Sequence, residues 1–336
     1  MKREHFYSAK QRFAAKNEIN RRQFIKGTAA VAGAALLSQY TNGAETVTES
    51  VKKTAVDQVT LGKTGIKLSR LGLGLGTRNG IEQRNLGQEG FNNLIKYAYD
   101  QGITCLDTAE NYQTRSMIAG AIKGLPREKL FIQTKIETSG GGRGRFGRRG
   151  TATSPTNNLE RIEGFLKEFE VEYIDSLLVH CQTNPAWDEQ NKQLLEDLGK
   201  AKEKGYIRSH GVSTHSLSAT IKAASHEWVN VNLVRINPQG VLVDTKQDIV
   251  FPSAQSKEED VPPVVEQMKI MRKNGHGIIG MKLIGEGAFR DIEQRRKSIT
   301  WVMQSDIVDA VIIGVKSKEE IDEAIKNINE AFAQKA

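Results

Sequence analysis

The sequence predicts an α/β protein folded as one (β/α)8, or TIM, barrel, and three observations predict it. From about residue 57 onward, eight short apolar runs alternate with amphipathic segments of helical period, and strict βα alternation implies a parallel sheet. Eight such units within 336 residues favour closure into a barrel over an open sheet. Several helical segments end on glycine, at Gly102, Gly124, Gly205 and Gly275, the residue best suited to the left-handed turn that closes a helix.

The elements follow in order. "VTLGKTGIKLS" (59–69) reads as a hairpin with Lys63-Thr64-Gly65 as its turn, expected to close the barrel bottom. Strands are expected at 70–76, 104–107, 130–136, 174–180, 208–213, 231–237, 276–282 and 310–314, short runs rich in Val, Ile and Leu as parallel strands buried on both faces are. Helices are expected between and after them, in segments beginning near residues 89, 115, 155, 191, 217, 262, 292 and 316. The barrel accordingly spans 57–332, after a leader at 1–44 and a flexible linker at 45–56.

The net charge of +8 raises the question of nucleic acid, and its location answers it. Residues 1–26 hold Lys2, Arg3, Lys10, Arg12, Lys16, Arg21, Arg22 and Lys26 against Glu4 and Glu18, and 27–44 carry no charge. The basic excess therefore belongs largely to the leader, and no nucleic-acid partner is expected. Within that leader, "NRRQFIKGTAAVAGAALL" sets paired arginines before a weakly apolar Ala/Gly run and resembles a twin-arginine export signal. The resemblance implies the twin-arginine export machinery as a partner, cleavage after Ala44 and a periplasmic or exported product. No apolar run reaches membrane-spanning length, so stable membrane anchoring is not expected. Cys105 and Cys181 have no metal or cluster spacing, which excludes an iron–sulfur protein; each lies on an apolar strand, where a buried free thiol is the common state.

In such a barrel, chemistry collects at the C-terminal strand ends. There the sequence places Asp107 with Tyr112 just beyond it, then Lys135, then His180. A tyrosine is a poor acid at neutral pH unless a cation stabilises its phenolate; Lys135 supplies one, Asp107 keeps that lysine protonated and oriented, and His180 is left to hydrogen-bond the reacting oxygen. Two other uses remain open: a lyase or aldolase with Lys135 as Schiff-base nucleophile, and a non-catalytic nucleotide-binding barrel.

"RLGLGLGT", "LDTAENY", "FIQTKI", "YIDSLLVH" and "GYIRSHGVS" stand in the order and spacing of the aldo-keto reductases, and the chain resembles that family over roughly residues 57–332. The resemblance implies hydride transfer between NADP(H) or NAD(H) and an aldehyde or ketone (or the corresponding alcohol), with Asp107, Tyr112, Lys135 and His180 as the catalytic group. Gly72, Gly74 and Gly76 are spaced G-x-G-x-G, which rules out the dinucleotide fingerprint of the open nucleotide-binding sheet. In the family reading, Gly76 and Thr77 lie near the nicotinamide ribose beside Asp107. Ser213 and Thr214 hold the carboxamide, with Thr214 in place of the common asparagine, and Leu233 stands where a glutamine is usual. Lys282, Gly285 and Gly287 face the pyrophosphate; Gly314, Lys316 and Ser317 face the adenosine phosphate or ribose; Glu323 contacts the adenine. Ser317 with Glu320 also spells a helix-capping box. Glu320 would repel a 2′-phosphate unless Lys316 or Lys318 offsets it, which leaves the choice of dinucleotide open. The segment "TSGGGRGRFGRRGTATSP" carries Arg143, Arg145, Arg148 and Arg149 without an acid; it is expected to form a mobile flap that attracts an anionic or polyhydroxylated substrate, with Trp187 and Phe251 as apolar pocket walls. No metal ligand set is expected.

Overall fold

A computed structural model describes residues 53–138, 157–245 and 256–334; the leader, the four arginines of the 138–155 segment and Phe251 lie outside them. A hairpin of β1 (Gln58–Thr60) and β2 (Lys67–Ser69) comes first. Eight strands follow: β3 (Leu71–Gly74), β4 (Cys105–Asp107), β5 (Phe131–Ile136), β6 (Ile174–Gln182), β7 (Ile207–Thr214), β8 (Val231–Arg235), β9 (Gly277–Met281) and β10 (Ala310–Gly314). All pair in parallel and close into a barrel in the order β10-β3-β4-β5-β6-β7-β8-β9. The predicted barrel is thus the observed one, each strand falling where its apolar run lies.

The hairpin plugs the N-terminal mouth. Its turn at Gly62–Thr64 ends on Gly65 at φ 71. The Gly62 amide donates to Asp309 Oδ2 at 3.2 Å and the Lys63 amide to the Gly275 carbonyl at 2.8 Å, both just before a barrel strand. Leu61 lies so close to Gly277 that a Cβ there would come within 2.4 Å of Leu61 Cγ. Leu61, Ile66 and Leu68 join Phe131, Leu178 and Leu233 in a buried cluster separate from the layer between sheet and helices. Each such side chain contributes about 1.5–3 kcal/mol on burial. Filling the interior from below leaves the opposite mouth to polar side chains.

The outer helices begin where local chemistry starts them. Asn157, Ser216, Asp291 and Ser317 each accept a backbone N–H of the helix they cap, satisfying donors that would otherwise be orphaned. Gly102, Gly124, Gly205 and Gly275 all adopt positive φ, as expected. Two short helices, Ile81–Arg84 and Trp187–Gln190, were not legible as periodic segments because they are only about one turn long. The expected linker extends too far: Ala55 is fully buried, its amide donates to Asn329 Oδ1 at 2.8 Å and its carbonyl accepts from Leu71 N at 2.8 Å, so residues 54–56 belong to the body. Cys105 is buried and Cys181 only half-buried, both as free thiols; β6 loses register between Val179 and Gln182 and turns Cys181 to φ 52. No helix among the described residues is long and apolar enough to cross a membrane.

Candidate active site

Asp107 ends β4 and is paired in register with Gln133 of β5. Two residues along β5, on the same face of the strand, stands Lys135. Its ammonium donates to Asp107 Oδ1 at 2.7 Å, to Asp107 Oδ2 at 2.8 Å and to the Thr108 carbonyl at 2.7 Å, which uses all three of its protons. Gln133 Nε2 adds a donor to Asp107 Oδ1 at 2.8 Å. The lysine and aspartate side chains are 2% and 8% exposed.

Tyr112 ends a single 3-10 turn, Glu110–Tyr112, after which Gln113 turns left-handed at φ 57. Its ring lies against the backbone of Gly76, where a Cβ would come within 2.1 Å of Tyr112 Cε2. Only glycine leaves room for that ring. Lys135 Nζ sits 5.4 Å from the ring centroid, and the ring of His180 meets it edge-on at 5.9 Å and 81°. The four predicted residues therefore converge.

Their electrostatics differ from the sequence expectation in one respect. Burial raises the Tyr112 phenol well above its ordinary value, and the nearby Asp107, Cys181, Glu137 and Glu286 push it the same way. The Lys135 ammonium directs its protons at Asp107 and Thr108. His180 is likewise paired, with Glu137. Burial works against charging this imidazole, but the Cys181 sulfur and the Glu137 carboxylate beside it outweigh burial and raise it from 6.5 to about 10.

Glu137 was missed. It pairs with His180 Nδ1, and its own carboxyl is opposed by burial yet held below the usual range by His180, Arg161 and Lys135. Its backbone is clamped as well: the Glu137 amide donates to Glu110 Oε2 at 2.8 Å, and Arg161 donates to the Glu137 carbonyl at 2.9 Å and to Glu110 Oε1 at 2.8 Å. A signal existed, since Gln133, Lys135 and Glu137 alternate along "FIQTKIE" and so share one face of the strand and its extension.

Beside this group opens a cavity of about 800 Å³. Gly76, Thr77, Asp107, Tyr112 and Lys135 line one end; Lys282, Gly287, Gly314, Lys316 and Glu323 line the remainder. Ser213, Thr214, Gly285, Ser317 and His180 do not line it. Thr214 Oγ1 is 2.7 Å from Thr220 Oγ1, which donates to Asp244 Oδ2 at 2.7 Å; that hydroxyl serves a buried polar network joined to Arg235. Ser317 caps its helix by accepting from Glu320 N at 3.4 Å, while Glu320 Oε2 accepts from Lys316 N at 2.8 Å. Glu323 is gripped by Arg295 through bonds of 2.6 and 2.9 Å, a partner that sequence spacing did not reveal. Lys282 pairs with Glu286 at 2.7 Å. Trp187 is no pocket wall: it is fully buried, with ring centroids 5.2 Å from His226 and 6.3 Å from Trp228. Leu233 is equally buried, in the barrel interior.

The arrangement fits a nicotinamide dinucleotide on two observations. Gly74, Gly76, Gly287 and Gly314 line the cavity together with the cationic Lys282, Lys316 and Arg295, bare backbone and positive charge of the kind a ribose and phosphates need. Ser213 Oγ, behind the cavity wall, is fully buried without a hydrogen-bond partner among the described residues, the kind of orphaned donor that a ligand group can satisfy.

Comparison with known proteins agrees with the geometry. Residues 70–299 match the model of the Aldo/keto reductase family, and residues 18–38 that of the twin-arginine translocation (TAT) pathway signal sequence. A Glycine max protein designated "Probable aldo-keto reductase 1" is 29% identical over 237 residues, 70% of this chain and 61% of its own length. The NADH-specific methylglyoxal reductase of Escherichia coli is 29% identical over 167 residues, 46% of this chain and 51% of its own. The chain thus spans between half and two thirds of the curated relatives it matches. Among solved structures, an aldo-keto reductase from Bacillus halodurans in its holo form superposes at a TM-score of 0.59 with 16% identity, over 84% of this chain and 96% of that one. One from Klebsiella pneumoniae in complex with NADPH does so at 0.55 with 20% identity, over 85% and 94%. With two thirds of its length under the family model and a barrel of the same closure, the chain belongs to the aldo/keto reductase family and is led by a twin-arginine signal sequence.

Proposed function

We propose that the protein interconverts a small aldehyde or ketone and its alcohol using NADP(H) or NAD(H), with Tyr112 as the general acid and base. The observation that carries this reading is the meeting of Tyr112 and the Asp107–Lys135 pair at one end of the cavity, with the ring of His180 edge-on to Tyr112. The dinucleotide, when bound, supplies or accepts the hydride. Tyr112 holds its proton firmly in the resting site and so arrives protonated. It gives the proton to the carbonyl oxygen only as that oxygen gains negative charge, the condition under which a general acid is effective. Asp107 and Lys135 fix the floor under the ring. His180 orients the oxygen. The lyase reading is disfavoured because the Lys135 ammonium is fully engaged by Asp107 and Thr108 and offers no lone pair to a carbonyl carbon.

The named relatives suggest the first trials: methylglyoxal, after the Escherichia coli enzyme, with NADPH and NADH supplied in turn. Ser213, Lys282 and Lys316 would hold the dinucleotide, with Arg295 and Glu323 at its far end. We place the signal at residues 1–44 and infer export of the folded protein. Purified protein should oxidise one or both dinucleotides in the presence of the aldehyde, and Tyr112→Phe should abolish turnover while leaving dinucleotide binding by fluorescence intact. Equal turnover in Tyr112→Phe would remove the proposed role of the phenol.

A further inference from the structure

The Glu137–His180 pair is not needed to orient an imidazole, since a backbone carbonyl would do that. A carboxylate does something further. Nδ1 is directed at Glu137, which leaves Nε2 as the ring nitrogen that can serve a ligand. His180 is 5% exposed and Glu137 33%. Several ionisable groups face the imidazole. Glu137 reaches it from the end of β5. Cys181 adjoins it on β6, with its sulfur 3.6 Å from His215 Nε2. Tyr112 presents its ring edge-on, 5.9 Å away. The nearby Lys135–Asp107 and Arg161–Glu110 pairs are each internally neutral.

We propose that Glu137 is a positioning residue that keeps His180 doubly protonated, so that its Nε2–H acts as a cationic donor to the oxygen on which charge develops. This rests on the reductase reading. A charge-assisted hydrogen bond is roughly twice as strong as a neutral one, and a donor aimed at developing charge in a water-poor site lowers the barrier directly. Hydride forms the new C–H bond, the carbonyl π pair moves to oxygen, and the Tyr112 O–H proton transfers to that oxygen. His180 donates a hydrogen bond without losing its proton, and the Tyr112 phenolate, stabilised by the adjacent imidazolium, regains a proton from solvent. Glu137 thus supplies to His180 what Asp107 supplies to Lys135. The clamp by Glu110 and Arg161 on the Glu137 backbone holds that carboxylate in place.

The test uses the mature, full-length protein labelled with ¹⁵N in its histidine rings, with the His180 signal assigned by its loss in His180→Asn. In the native protein the imidazolium should persist to about pH 10. In Glu137→Gln its titration should fall by about two pH units or more; in Glu137→Asp, which keeps a carboxylate, it should recover in part; in Cys181→Ser it should stay above that of Glu137→Gln. With 4-nitrobenzaldehyde as the probe, kcat of Glu137→Gln at pH 8 should drop on the order of a hundredfold with the KM for dinucleotide unchanged. Circular dichroism shows whether each variant is folded. An unshifted His180 in Glu137→Gln, or one discharged by Cys181→Ser alone, would overturn the pairing. A discharged His180 with native kcat would overturn the donor role. If the native protein turned over no carbonyl, the reductase reading would fail while the titration still decided the pairing.

Discussion

Lys135→Met isolates the ion pair on which the site is built. The ammonium gives Asp107 two of its donors, at 2.7 and 2.8 Å, and Gln133 gives a third at 2.8 Å. Removing it leaves a carboxylate buried at 8% exposure with one neutral donor, and an uncompensated buried charge costs about 3–5 kcal/mol. Unfolding entropy near 2.1 cal/mol/K per residue gives a body of roughly 280 residues about 0.6 kcal/mol/K, so the melting temperature should fall by about 5–8 °C. Asp107→Leu should cost a similar amount by stranding the ammonium on Thr108. The double variant, Asp107→Leu with Lys135→Met, removes both charges and should return to within about 1–2 kcal/mol of the native protein. All three should lose turnover. Calorimetry at pH 7 on the purified protein supplies the four values. If the double variant lost the sum of the two single losses, the residues would not be coupled and the argument for a preorganised pair would fail.

Four further outcomes are expected. Gly76→Ala places a methyl against the Tyr112 ring and should cut kcat on the order of a hundredfold, as a misplacement near 1 Å can, with the melting temperature little changed. A retained kcat would show that the ring has room elsewhere. Because His180 is raised from 6.5 to about 10 in the folded protein, its contribution to stability is fully present below pH 6.5 and lost as pH rises through 10; urea unfolding should show that decline, and Glu137→Gln should flatten it. Replacing Arg21 and Arg22 together by lysine should abolish export, read by cell fractionation, while leaving the folded protein in the cytoplasm. Changing Arg143, Arg145, Arg148 and Arg149 to serine should raise KM for anionic carbonyl substrates selectively; an equal change for neutral ones would dispose of the charged-flap idea.

Much of the site was legible. Asp107, Tyr112, Lys135 and His180 lie at strand ends, and a strand end is recoverable from an apolar run and the turn residues that follow it. The hairpin plug was legible because "GKTG" between two apolar stretches has few other uses. What escaped notice were residues whose partners are distant in sequence. Glu137 needs His180, 43 residues on; Arg295 needs Glu323, 28 residues on; the linker residue Ala55 needs Asn329, 274 residues on. Trp187 was misread because an aromatic in a loop over the catalytic mouth can turn outward between helices as easily as inward, and nothing local distinguishes the two.

By itself the sequence determined the period of each element, the order of the strands and the side chains set at their ends, since these follow from residue-by-residue geometry. The tertiary structure alone decided which charge meets which. Lys135 directs its protons at Asp107 and Thr108 rather than at the phenol, and His180 finds Glu137. Charges of one sign are interchangeable in a sequence; burial within a few ångströms separates them, because desolvation is offset only by the partner actually within reach.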